Sequence, residues 1–200
     1  APLRRRPVQQ RSTQRVERML NACADLIDEL GYDGVTTTLI AERAEVAVGS
    51  LYQFFPDKRA VVQALTLRNL ELFITAVREG FTSSTPGNWW DAIDMVLEIY
   101  IGMHREIPGF ARVHFGDVID MRLMDDARDN NAVIADELTG VLTTTLNLPE
   151  EGLRVPMSVA VEAADAILRL AFRKDPMGDT RIVEEGKHMV RQYLASRFSP

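Results

Sequence analysis

The stretch from Thr36 to Lys58, TTTLIAERAEVAVGSLYQFFPDK, decides how the rest of the chain is read. Thr37 to Ala44 has the pattern of a short helix, and Glu45, Val46 and Ala47 interrupt it. Val48 to Phe55 is a second short helical pattern, stopped at Pro56. Two short helices joined by so tight a turn must cross steeply. That is helix-turn-helix geometry, in which the second helix can enter the major groove of DNA. Thr36 stands where an N-cap belongs, its hydroxyl able to accept from a free backbone N–H. Asp57 is the corresponding cap after Pro56.

Outward from this stretch, helical periodicity runs nearly everywhere and strand signals are almost absent. Val16, Met19, Leu20, Cys23, Ile27 and Leu30 form an apolar stripe. Ser12 or Thr13 can cap that helix, and Gly31 can end it in the left-handed conformation. A long helix starts at Asp57 and runs to about Gly80, with Val61, Leu65, Leu72 and Phe73 among its apolar positions. Residues 82–88, TSSTPGN, are the clearest linker. Asn88 caps a helix from Trp89 to about Glu106. Phe110 to Phe115 reads as a short helix, and Val118 to Met124 as a further piece or its continuation. Asp125 to about Leu146 is another helix, followed by Arg154–Phe172 and Thr180–Phe198. The pattern predicts an all-α chain of about nine helices. It divides into a basic arm (1–10), a three-helix helix-turn-helix unit (11–56) and a larger helical body (57–200), of which 57–80 is a connecting helix.

The chain has 200 residues, and no apolar run approaches the ~18 that suggest a membrane span. Arginines near the start lack a following apolar h-region, so no secretory signal and no membrane partner are expected. Cys23 is the only cysteine, which excludes an internal disulfide framework and makes the cytoplasm the expected location. The net charge of −6 is unevenly spread. Residues 1–18 carry six arginines against Glu17 alone, whereas residues 60–200 carry 14 Lys or Arg and 21 Asp or Glu. A basic end on an acidic body would orient the molecule on a polyanion; a solvated tail has the same composition.

Thr36, Ile40–Ala41, Ala44–Glu45–Val46–Ala47, Gly49, Leu51–Tyr52, Phe55 and Lys58 together resemble the TetR family of bacterial transcriptional regulators. The likeness covers residues 12–65; beyond them it is architectural. Two residues depart from the family pattern. Glu45 replaces a turn glycine, and a side chain at positive φ costs roughly 1 kcal/mol. Ala47 replaces a serine that caps the recognition helix and donates to a phosphate, a cap worth ~1 kcal/mol.

The recognition helix offers Val48, Gly49, Ser50, Tyr52 and Gln53 to DNA, with Ala47 at its start. Ser50 and Gln53 reach base edges, Gln pairing well with adenine; Val48 can touch a thymine methyl; Gly49 lets the backbone come close. The resemblance implies phosphate contacts from Tyr52 and Lys58, and the Thr36 and Thr37 hydroxyls are further candidate donors. Arg4 to Arg6 either reach along the backbone or into the minor groove, or remain solvated.

For the body, the resemblance implies a cavity for a small apolar or amphipathic effector. Its candidate lining is Phe73, Trp90, Met95, Tyr100, Met103, His104, Phe110, Val113, His114, Phe115, Met121 and Met124, although each also fits ordinary core packing. Neither His104 nor His114 has a ligand partner at helical spacing, so no metal and no cofactor are expected. From Val155 to Phe172 the polar residues Ser158, Glu162, Asp165 and Arg169 form one narrow stripe. A helix apolar over so wide an arc needs partners on two sides; the second is expected from a homodimer through the last two helices, the alternative being a central place in a monomer core. No nucleophile elbow, P-loop or metal signature points to an enzyme. The expectation is a dimeric repressor, released from double-stranded DNA with a palindromic operator by its effector. The alternatives are an activator of the same fold, or a helical interaction module that has lost DNA binding.

Overall fold

In the computed structural model, residues 6–113 and 130–198 are described. Among them are eight helices and no strand: α1 (Arg6–Gly34), α2 (Thr37–Arg43), α3 (Val48–Tyr52), α4 (Lys58–Ser83), α5 (Trp89–Glu106), α6 (Asn130–Leu146), α7 (Arg154–Phe172) and α8 (Thr180–Phe198). The described residues are all-helical, as the periodicity predicts. They form two compact units, 6–69 with 108–113, and 70–107 with 130–198.

Three local differences from the sequence expectations have physical reasons. α1 starts at Arg6 and passes through Ser12 and Thr13, so neither caps it. Pro7 falls in its first turn, where a missing N–H is harmless, and nothing between Pro7 and Val16 breaks a helix. Gly31 does not take the left-handed helical conformation. Its φ of 71° and ψ of 169° lie in a region open to glycine, and the chain kinks there before a last turn to Gly34. Phe110–Val113 is a turn, with the Val113 N–H donating to the Gly109 carbonyl, not the start of a short helix.

The first unit is built on Met19, Cys23, Ile27, Ile40, Leu51, Val61 and Leu65, all buried. Burial pushes the Cys23 thiol up to about 12, which keeps it protonated and inert. The 108–113 turn joins this unit through glycine. Gly109 has φ +75°, its N–H donates to Asp28 Oδ2 at 2.8 Å, and a Cβ there would sit 2.9 Å from the Ala24 Cα.

The second unit packs α5, α6, α7 and α8 with the later part of α4. Asn88 caps α5, its side chain accepting from the Asp91 N–H at 2.9 Å. α7 and α8 approach so closely that a Cβ on Gly186 would lie 2.6 Å from Ile167 Cγ2. Arg78 grips Glu137 with two bonds, at 2.6 and 3.0 Å, joining α4 to α6. Lys187 joins α8 to Asp94 and Glu98 of α5. α4 is long and apolar enough to cross a membrane by length and composition. Its Val61, Leu65, Phe73 and Val77 are instead spent on the cores of the two units.

Candidate nucleic-acid interface and effector cavity

The DNA-facing candidate is built from the caps outward. The Thr36 side chain accepts from the Leu39 N–H at 3.1 Å and fixes the start of α2. Arg43, at the end of α2, makes two 2.9 Å bonds to the Glu29 carboxylate of α1. That pairing holds the Glu29 carboxyl below its ordinary range. The turn then closes as a Schellman motif: Val46 N–H donates to Ala41 O at 3.0 Å, and Glu45 N–H to Glu42 O at 3.1 Å. Glu45 occupies the left-handed position at φ 55°, where glycine is usual. Ala47 is the N-cap of α3 and supplies no side-chain bond.

α3 is short. Leu51 and the following Phe55 enter the core, while Gly49, Tyr52 and Gln53 are exposed and Val48 and Ser50 half-buried. Thr37 Oγ1 and the Tyr52 hydroxyl lie 2.9 Å apart, joining the first turn of α2 to the end of α3. One hydroxyl donates to the other, so one O–H of the pair remains free to donate outward. Lys58 Nζ donates to the Tyr32 carbonyl at 2.8 Å and lies 4.3 Å from the centre of the Tyr32 ring. An ammonium has three donors, and the Tyr32 carbonyl uses one.

The second unit holds a half-open cavity of about 50 Å³. Phe73, Ile93, Val96, Leu97, Ile134, Leu138, Met157, Val190 and Leu194 are among its apolar lining; Tyr100, Asn131 and Asp165 are polar. The polar end is a bonded network. The Tyr100 hydroxyl donates to Asp165 Oδ1 at 2.8 Å, and Arg169 Nη2 donates to Asp165 Oδ2 at 2.7 Å. Burial, then the neighbouring Asp165 carboxylate, holds the Tyr100 phenol well above its usual range. His104 Nδ1 lies 2.9 Å from the Tyr100 carbonyl, which can only accept, so that nitrogen carries the proton. The His104 ring packs between Tyr100 and Phe172, at 4.4 and 4.8 Å between centroids.

Residues 19–65 match the family described as bacterial regulatory proteins, tetR family, and residues 87–198 match the tetracyclin repressor-like C-terminal domain. A TetR-family transcriptional regulator from Streptomyces coelicolor is 39% identical, covering 92% of this chain and 99% of that one, with a TM-score of 0.78. The chain belongs to the TetR family. Its head is also 40% identical over 58 residues to the HTH-type transcriptional repressor KstR of Rhodococcus jostii, a match spanning 29% of this chain and 27% of that repressor. The fatty acid degradation regulator FadR from Bacillus halodurans has the same fold, with a TM-score of 0.69 at 18% identity over 88% of this chain and 93% of that one.

As a TetR-family regulator, the chain gathers only part of its sequence-predicted effector site around the cavity. Phe73 and Tyr100 line it. Met103 and His104 are buried on α5 without lining the cavity, and Trp90 is half-buried with Arg191 5.0 Å from its ring. Phe110 and Val113 belong to the first unit. His114, Phe115, Met121 and Met124 lie outside the described residues. Sequence reasoning missed Asp165 and Asn131 as lining residues. Asp165 is 4% exposed, not part of an outward polar stripe. Ser158 and Glu162 of that stripe are exposed and Arg169 is half-buried, and the exposed face of α7 also carries Val155, Val159, Ala166 and Leu170. The 165/169 spacing of opposite charges was the available signal, since a buried carboxylate needs a partner one turn away.

Proposed function

We propose that this TetR-family regulator is a homodimeric repressor that holds a palindromic operator and is released by a small amphipathic effector. The observation that carries the DNA part is Gly49. Glycine inside a helix costs about 1 kcal/mol. Nothing in the fold asks for it, because a Cβ at 49 would meet no atom within 4 Å. A bare backbone beside exposed Tyr52 and Gln53 is what close approach to DNA requires. In this reading the Thr37–Tyr52 pair, Thr36 and Lys58 hold phosphates. Val48, Ser50 and Gln53 read bases, and Ala47 leaves one family phosphate contact unmade. The curated repressors that match the head support repression over activation.

The α7 face supports the dimer. Val155 (73% exposed), Val159, Ala166 and Leu170 form an apolar stripe bordered by Ser158 and Glu162, and Met189 adds an exposed apolar side chain on α8. Exposed apolar side chains grouped on one face and rimmed by polar ones suit an association face. Two heads then read two half-sites.

The cavity supports an effector with an apolar body and one polar group placed at Tyr100 and Asp165. At about 50 Å³ it is much smaller than the ~300–1,000 Å³ of a typical ligand pocket. A ligand of that size therefore needs the surrounding helices to move apart, and so binds a conformation wider than this one. That difference in affinity is what a ligand-driven release needs. A gel shift with the promoter region beside the gene tests the head. A retarded complex at low salt, with Gln53→Ala relaxing preference at one operator position by ~1–3 kcal/mol, is expected. No shift at low salt sinks the reading in favour of an interaction module.

A further inference from the structure

α1 carries cationic residues that neither its core packing nor the recognition helix uses. Arg11, Arg15 and Arg18 are all exposed, at spacings of four and three. At 100° per residue they share an arc of roughly 60° on one side of α1. Ala22 and Glu29 project onto that same arc. Ala22 is 2% exposed, and Glu29 holds α2 through Arg43. The arginine stripe therefore lies on the side of α1 that faces the helix-turn-helix. It extends past it, roughly 17 to 27 Å along the axis from Glu29.

Among the described residues no acid pairs with the stripe. Glu17 projects roughly 100° or more away around the helix and is engaged by Arg68 at 3.2 Å, with Asn21 bonded to the same guanidinium at 2.7 Å. Glu29 is taken by Arg43, and Asp25 lies in the same field of charge. Arg11, Arg15 and Arg18 make no hydrogen bond or ion pair with other described residues. Arg11 and Arg15, at i,i+4, and Arg15 and Arg18, at i,i+3, repel one another on this face, and an external anion relieves that repulsion.

We infer that the Arg11–Arg15–Arg18 face is a second DNA-contacting surface, which grips backbone phosphates flanking each half-site outside the groove occupied by α3. In helix-turn-helix docking the first helix of the motif crosses the sugar–phosphate backbone. A stripe on the α2 side of α1, but beyond α2, continues along that backbone. Arginine is the residue suited to bidentate phosphate contact. The contacts carry no base information, so they add affinity and salt dependence without adding sequence preference. The inference rests on the head binding DNA, as proposed above.

The test compares wild type, R11Q/R15Q/R18Q, R11K/R15K/R18K and S50A/Q53A by fluorescence anisotropy across a salt series. Each is measured on an operator selected from a random library, with and without one helical turn of flanking duplex, and on a random duplex of the longer length. Circular dichroism melting confirms that the variants fold. The glutamine triple is expected to lower the magnitude of the log K against log salt slope by about 2 to 3 per head bound, with affinity on both long duplexes falling tenfold or more at low salt. The loss should shrink on the unflanked operator, and the lysine triple should restore most of the slope. S50A/Q53A should lose affinity on the operator alone. If the glutamine triple matches wild type in slope and affinity on both long duplexes, the surface is merely solvated and the inference fails, while the reading of α3 stands. If S50A/Q53A leaves operator preference unchanged, the reading of α3 fails instead. The random duplex still reports on the stripe in that case.

Discussion

Asp165→Ala is expected to destabilise the second unit by about 3 kcal/mol, more than removal of the hydroxyl that bonds to it. A buried ion pair that loses one partner typically costs ~3–5 kcal/mol, because the other charge is left buried and alone. Here the remaining partner is Arg169, whose side chain is 37% exposed, so water takes over part of its solvation. That pulls the cost toward the lower end. The second loss is at Tyr100, which is 8% exposed and whose hydroxyl loses the carboxylate it donates to, a penalty of ~1–3 kcal/mol. Tyr100→Phe leaves Asp165 still bonded to Arg169 and should cost only about 1.5 kcal/mol, the low end for a hydrogen bond to a charged group.

The double variant distinguishes a network from two independent defects. With phenylalanine at 100, no hydroxyl is orphaned when Asp165 is removed. Tyr100→Phe/Asp165→Ala should then cost less than the sum of the single changes by about 1 kcal/mol or more. Thermal melts at one fixed protein concentration measure this, since association shifts the midpoint. At roughly 2–4 °C per kcal/mol for a chain of this size, Asp165→Ala lowers the midpoint by about 6 to 12 °C. Additivity within about 0.5 kcal/mol, or a Tyr100→Phe cost exceeding that of Asp165→Ala, would refute the placement of the carboxylate in this core.

Three further outcomes follow from the same geometry. Tyr52→Phe should weaken binding to every DNA sequence alike, since a phosphate contact carries no base information; a changed base preference in a competition assay would contradict it. Glu45→Gly should raise stability in urea by up to about 1 kcal/mol by relieving the side chain at φ 55°, and no gain would mean the turn is not strained. The Tyr100 phenol is held above its unfolded value of 10.0, so folding keeps its proton and this contribution is fully present below pH 10. Stability should fall as pH rises past about 10, by at most ~1.4 kcal/mol per pH unit from this group, and Tyr100→Phe should flatten that fall.

What the sequence reveals here follows the range of the forces involved. Caps and turns are local, so Thr36, Asp57 and Asn88 could be placed by inspection, and each side chain accepts a backbone N–H three residues on. The bounds of α5, α7 and α8 were legible for the same reason, since Gly, Pro and Asn punctuate the chain around them. The start of α1 was not, because two hydroxyl residues at 12 and 13 offer caps that a continuing helix does not need. The α7 stripe failed for a deeper reason. Periodicity assigns a face to every polar residue and treats them as one side, but Asp165 sits at the edge of the buried arc, where its neighbours do not decide its fate. What decides it is Tyr100, sixty-five positions earlier, whose hydroxyl makes burial of the carboxylate tolerable. Moving Asp165 inward leaves Val155, Val159, Ala166 and Leu170 on the outer face with Glu162. The misread residue and the exposed apolar stripe are thus one fact: with Asp165 turned to the cavity, the outward face of α7 is left with Ser158 and Glu162 as its polar side chains among Val155, Val159, Ala166 and Leu170.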